Sequence, residues 1–68
     1  MLKNCLREVR QSQKLTQEQL AQSVNLTRQT IIAIEKGRFT PSVYTALRLS
    51  EALGMVVEKL FWIDQDLR

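Results

Sequence analysis

Apolar positions recur at steps of three and four along most of this chain, the spacing of helices that bury one face. Leu2, Leu6 and Val9 set the first such face and predict a helix over about residues 3–13. Thr16 opens a second. With Gln19 three positions on, it forms a Thr-x-x-Gln capping box, in which hydroxyl and amide each satisfy a backbone N–H that the helix leaves unpaired. Leu20, Ala21 and Val24 make its inner face, and it stops before Asn25, a residue type that tolerates the left-handed conformation. Thr27 caps a third helix running from Arg28 to Lys36, with Ile31 and Ile34 inward and Gly37 as the stop. Thr40 followed by Pro41 reads as the cap and first position of a fourth. That helix carries Val43, Ala46, Leu47, Ser50 and Leu53 on one face and closes at Gly54. A short fifth helix, about residues 57–62, presents Val57, Leu60 and Phe61. Strand-like alternation is confined to a few residues at the very ends, and the tail IDQDLR is polar and expected to fray. The pattern therefore predicts one all-α domain across residues 1–68, a compact bundle of four or five helices with its core over about residues 3–62.

Residues 15–38 carry more than periodicity. A short helix, a tight turn and a second helix at a steep angle make specific steric demands. Ala21 is small where two helices would cross closely, Asn25 suits a turn at positive φ, and Leu20, Val24, Leu26, Ile31 and Ile34 can clamp the pair. The second helix of the pair then shows Thr27, Arg28, Gln29, Ile32 and Ala33 outward. Arg presents two parallel donors to guanine O6 and N7, Gln pairs bidentately with adenine N6 and N7, and aliphatic groups suit a thymine methyl. The face is chemically equipped to read double-stranded DNA.

Composition sharpens this by exclusion. There is no His and one Cys, so a zinc site of the usual ligands and His-based catalysis both drop out, and no internal disulfide can form. Cys5 reads as a partly buried small apolar residue rather than a redox sensor. Glu18, Glu51 and Glu58 have the spacing of scattered helix surfaces and no accompanying nucleophile, so no catalytic residue and no cofactor is expected. The N-terminus lacks the apolar region of a signal peptide and no run could span a membrane, which suggests a cytoplasmic protein. Net charge is +3. The excess is local: residues 28–48 hold Arg28, Lys36, Arg38 and Arg48 against Glu35 alone. A 68-residue chain has little room for a small-molecule pocket of a few hundred Å³, and none is expected.

The stretch resembles the Cro/CI-type, Xre-like helix-turn-helix family. The agreement lies in Thr16, Gln17, Leu20 and Ala21, then Thr27, Arg28, Gln29, Thr30 and Ile31, then Ile34, Glu35 and Gly37. It continues into Pro41, Ser42, Ala52, Leu53, Gly54, Leu60 and Phe61, and is nearest to the short stand-alone regulators of that family. The resemblance implies a lambda repressor-like DNA-binding domain acting as a transcriptional regulator. It implies a phosphate contact for Gln17, base contacts for Thr27, Arg28 and Gln29, and backbone contacts for Thr30, Lys36, Arg38 and Tyr44. Arg10 and Glu35 correspond to a family ion pair joining the first helix to the end of the third. Three positions depart from the pattern. Lys14 stands where relatives often have Gly, Ile32 where a small polar residue is usual, and Val56 where Ser or Thr often caps the last helix.

Small domains often gain stability by oligomerising. Val57, Leu60, Phe61, Trp62, Ile63 and Leu67 form an apolar cluster too large for so small a core. Part of it is expected to pack inward, and Leu60, Phe61, Trp62 and Ile63 are the expected homodimer surface. The expected function is a repressor binding a palindromic operator as a dimer. The alternative is an antitoxin or adaptor using the same domain to bind a protein as well as DNA. Such proteins usually add an extension outside the core, and this chain ends within about seven residues of it.

Overall fold

The structure, a computed structural model, describes residues 1–64. Five helices and two short strands follow in order: β1 (Leu2–Asn4), α1 (Leu6–Ser12), α2 (Gln17–Ser23), α3 (Arg28–Glu35), α4 (Val43–Leu53), α5 (Val57–Leu60) and β2 (Phe61–Ile63). Leu67 and the end of the polar tail lie outside the described residues.

The caps behave as their residue types require. Thr16 Oγ1 accepts the Gln19 N–H at 3.0 Å, while Gln19 Oε1 accepts the Thr16 N–H at 2.8 Å, completing the capping box. Thr27 Oγ1 accepts the Thr30 N–H at 3.2 Å. Asn25 lies at φ 58°, and Gly54 ends α4 in the left-handed region at φ 68°. Lys14, at φ 60°, carries a side chain in the left-handed region that favours glycine. A Cβ in the left-handed region costs about 1–2 kcal/mol. Lys14→Gly is therefore expected to raise the melting temperature by about 4–8 °C per kcal/mol recovered; a thermal melt that fell instead would show that Lys14 is held there at no cost.

Three sequence expectations are corrected. The first helix does not begin near residue 3: Leu2–Asn4 form a strand, antiparallel to Phe61–Ile63, with Leu2 opposite Ile63 and Asn4 opposite Phe61. For the same reason the last helix ends at Leu60 rather than residue 62. Pairing the two chain ends satisfies backbone groups that two frayed helix termini would leave to water. Asn4 joins the ribbon to the bundle, its Oδ1 accepting the Leu6 N–H and its Nδ2 donating to the Ile34 carbonyl, both at 3.0 Å. Cys5 is half-buried beside it, its thiol donating to the Lys59 carbonyl at 3.2 Å.

The second correction is to α4. Ser42, not Thr40, is its cap, accepting the Thr45 N–H at 3.1 Å, so Pro41 precedes the helix rather than starting it. Its core-facing side chains are Leu49 and Leu53 with Ala46 beside them, whereas Val43 and Leu47 are 79% and 52% exposed. Two apolar stripes run along α4, and only one fits the core. The third correction is to the C-terminal cluster. Leu60 is fully buried and Phe61 almost fully buried in their own domain's core, which leaves these two little surface to offer a second copy. Trp62 and Ile63 are exposed.

The core is built from Leu6, Leu20, Ala21, Val24, Ile31, Ile34, Leu49, Leu53, Leu60 and Phe61. It takes at least one side chain from every helix and thereby fixes α3 against α2.

Candidate nucleic-acid interface

α3 is held from beneath and at its start. Ile31 and Ile34 are fully or almost fully buried, and the Thr27 and Thr30 hydroxyls lie 3.1 Å apart across the first turn. The opposite face is then presented as a rigid surface. Thr27, Arg28, Gln29 and Lys36 are exposed, with Thr30, Ile32 and Ala33 half-buried along its edges. Among the described residues, the Arg28 and Gln29 side chains have no hydrogen-bond or ion-pair partner, so their donors and acceptors remain free for a ligand. Thr27 and Thr30 are already engaged with each other, and a contact from either must use remaining lone pairs.

The ion pair expected from the family is present and buried. Arg10 Nε lies 2.7 Å from Glu35 Oε2, and Nη2 lies 3.4 Å from Oε1. Arg10 Nη1 also donates to the Leu15 carbonyl at 2.8 Å, which fixes the turn into α2. Arg10 is only 7% exposed, so this one side chain ties α1, the turn and the end of α3 together.

Sequence reasoning missed one partner. Gln17 Nε2 donates to Glu35 Oε1 at 3.1 Å, so the amide at the start of α2 is set by the same carboxylate. The two residues are 18 apart, and nothing local could have linked them. Arg48, by contrast, was within reach of pattern reasoning. It stands four positions after Tyr44 on one helix, and its Nη1 donates to the Tyr44 hydroxyl at 3.2 Å. Arg38 follows α3 directly, its N–H donating to the Ala33 carbonyl at 2.9 Å while its side chain is exposed. Tyr44 is exposed near the start of α4.

Surface clefts of a few hundred Å³ exist, two of them of about 450 and 520 Å³, contrary to the sequence expectation that so short a chain would lack the space. One, of about 450 Å³, separates α1 from α3 and is bounded by Arg7, Gln17, Ile32 and Lys36. The other, of about 520 Å³, is apolar and lies between α4 and α5, bounded by Val43, Leu47, Val56 and Val57. Both open to solvent along the surface. Among the described residues no group of His, Cys, Asp or Glu is arranged to hold a metal ion, and no helix is long and apolar enough to cross a membrane.

Comparison with known proteins agrees with this architecture. The helix-turn-helix family model matches residues 6–56. An HTH-type transcriptional regulator of Methanothermobacter thermautotrophicus is 48% identical over 66 residues, which cover 96% of each chain. The immunity repressor protein of Bacillus phage phi105 is 38% identical over 55 residues, 81% of this chain and 38% of that protein. The crystal structure of the restriction-modification controller protein C.AhdI from Aeromonas hydrophila superposes with a TM-score of 0.75 at 33% identity, covering 79% of this chain and 82% of that one. With the motif, the fold and the buried ion pair in agreement, the chain belongs to the Cro/CI-type, Xre-like helix-turn-helix family of DNA-binding transcriptional regulators.

Proposed function

We propose that the protein represses transcription in the cytoplasm by occupying a palindromic operator as a homodimer. Each subunit lays α3 in the major groove. Thr27, Arg28, Gln29, Ile32 and Ala33 meet base edges, and Gln17, Thr30, Lys36, Arg38 and Tyr44 meet the sugar–phosphate backbone. The observation that carries this reading is the pair Arg28 and Gln29, exposed and unengaged at the start of a helix whose other face is locked into the core. Catalysis, cofactor and small-molecule ligand have no part in it.

Dimerisation supports the reading energetically. One recognition helix reads only a few base pairs, and discrimination against about 10⁶ or more competing genomic sites requires two half-sites read together. A two-fold dimer would set the helices about 34–36 Å apart. The exposed apolar side chains form two groups. Leu2 and Ile63 share one face of the ribbon while Trp62, opposite Lys3, occupies the other, so that surface is divided. Val43, Leu47 and Val56 instead surround one groove on rigid helices, with Glu58 its single charged side chain. Ser50, also in the groove, already donates its hydroxyl to the Met55 carbonyl. A second copy docked here buries apolar surface and meets a single charged side chain, Glu58, so the α4–α5 groove is favoured over the divided ribbon as the dimer surface.

The test separates specificity from affinity. Arg28→Ala and Gln29→Ala should each relax preference at particular base pairs, costing about 1–3 kcal/mol of discrimination, with binding to random duplex nearly intact. Arg38→Ala should weaken binding to all sequences alike. A binding-site selection in which Arg28→Ala recovered the unchanged site would overturn the assignment of the recognition face.

A further inference from the structure

One aliphatic side chain on α3 lies outside the core. Ile31 and Ile34 fill the inward side of this helix. Ile32 is half-buried, yet among the described residues it is not one of the partly buried apolar side chains that pack on the core. It stands four positions after Arg28, three after Gln29 and four before Lys36, the separations at which side chains on one helix are neighbours. All three of those neighbours are polar and exposed. Ile32 also lines the open cleft between α1 and α3, so its methyls border the reading face rather than lie beneath it. A β-branched side chain on a helix has one strongly preferred rotamer, so these methyls are set in place before any ligand arrives.

The floor of the major groove offers donors and acceptors at every base pair and one apolar group, the C5-methyl of thymine. An aliphatic side chain pressed against a donor or acceptor leaves that group unpaired, at a cost. Pressed against a methyl, it removes apolar surface from water on both sides. Cytosine methylated at C5 carries the same methyl at the same ring position, whereas cytosine and uracil carry none. We propose that Ile32 takes a pyrimidine C5-methyl as its ligand, which makes operator binding depend on the methylation state of the DNA. At one position in each half-site, thymine is then bound more tightly than uracil, and 5-methylcytosine more tightly than cytosine. This rests on α3 being the reading helix. Arg28 and Gln29 cannot supply the discrimination by hydrogen bonding, because within each of these two comparisons the bases present the same donors and acceptors.

The experiment starts from the operator recovered by binding-site selection and replaces its thymines by uracil, one symmetric pair at a time. One pair should stand out, with affinity lower by about fourfold per methyl, or about fifteenfold for both half-sites together. At that same position, duplexes carrying 5-methylcytosine and cytosine should differ by a similar factor. Ile32→Ala should keep its helical circular dichroism and its affinity for random duplex, while both ratios fall to within about twofold of one. Ile32→Val, which keeps the branch at Cβ, should preserve most of each ratio. A uracil scan flat at every thymine would overturn the proposal and leave Ile32 against deoxyribose. So would an Ile32→Ala protein with unchanged ratios, which would assign the methyl contact to the neighbouring Ala33. If the scan were flat while Arg28→Ala still altered the preferred site, the methyl reading alone would fail. If the unmodified protein selected no sequence, the functional reading would fail and take this one with it.

Discussion

Replacing Leu47 with Glu should yield a folded monomer whose affinity for its operator has fallen at least about a hundredfold, toward the level of its binding to random DNA. In a two-fold interface the same patch serves both subunits, so one substitution is felt twice. Leu47 is half exposed beside Val43 and Val56, and its truncation removes nothing from the core formed by Leu49 and Leu53. A carboxylate there must be desolvated when the groove closes, and juxtaposed like charges at an interface cost several kcal/mol. Sedimentation should report monomer, and circular dichroism should report unchanged helix content. Trp62→Glu provides the comparison, since Trp62 lies on the ribbon face away from Leu2 and Ile63, and that variant should remain dimeric. A Leu47→Glu protein that stayed dimeric, or an unmodified protein that sedimented as a monomer at tens of micromolar both free and on its operator, would remove the basis for this interface.

The second large effect belongs to Arg10. Arg10→Met should destabilise the domain by about 3–5 kcal/mol, because Glu35 would keep its buried charge with only the Gln17 amide against it. Native domains are stable by only about 5–15 kcal/mol, and one this small belongs near the lower end. The variant should therefore be close to unfolded at 37 °C, with its urea midpoint lowered by at least about 1 M. Arg10→Met combined with Glu35→Leu removes both charges and should recover most of the loss, since apolar replacement of a whole buried pair is often neutral or better. An Arg10→Met midpoint unchanged from the unmodified protein would mean that water reaches the pair and screens it. A double variant no more stable than the single one would mean that the contacts to Leu15 and Gln17, rather than charge pairing, hold this corner.

These effects are placed by different kinds of information. Much of the helix-turn-helix was legible from residue types because its determinants act within a turn or two of chain. The capping box at Thr16 and Gln19, the left-handed turn at Asn25, the cap at Thr27 and the inward phase of Ile31 and Ile34 each depend on near neighbours. The exposure of Arg28 and Gln29 follows from that phase, so the candidate reading face was legible with it.

The α4 stripe shows where local rules stop. Val43, Ala46, Leu47, Leu49, Ser50 and Leu53 allow two overlapping apolar faces, and which one enters the core depends on where α1, α3 and α5 place theirs. The ribbon is a stronger case. Strands of three residues carry too little alternation to be recognised, and Leu2 meets Ile63 from the opposite end of the chain. Pairing there took the ends of two expected helices, and Phe61, opposite Asn4 in the ribbon, is buried in the core. Likewise Gln17 and Glu35 each have an ordinary reading alone, and only the packing of α2 and α1 against α3 brings them together with Arg10. By itself the sequence determined the helix-turn-helix pair, the caps at Thr16 and Thr27 and the outward chemistry of α3, because hydrogen-bond geometry and helical phase act over short separations. Tertiary structure alone decided which apolar stripe stayed in water and which polar side chains shared one carboxylate, because those outcomes depend on surfaces far apart in the chain meeting in one register.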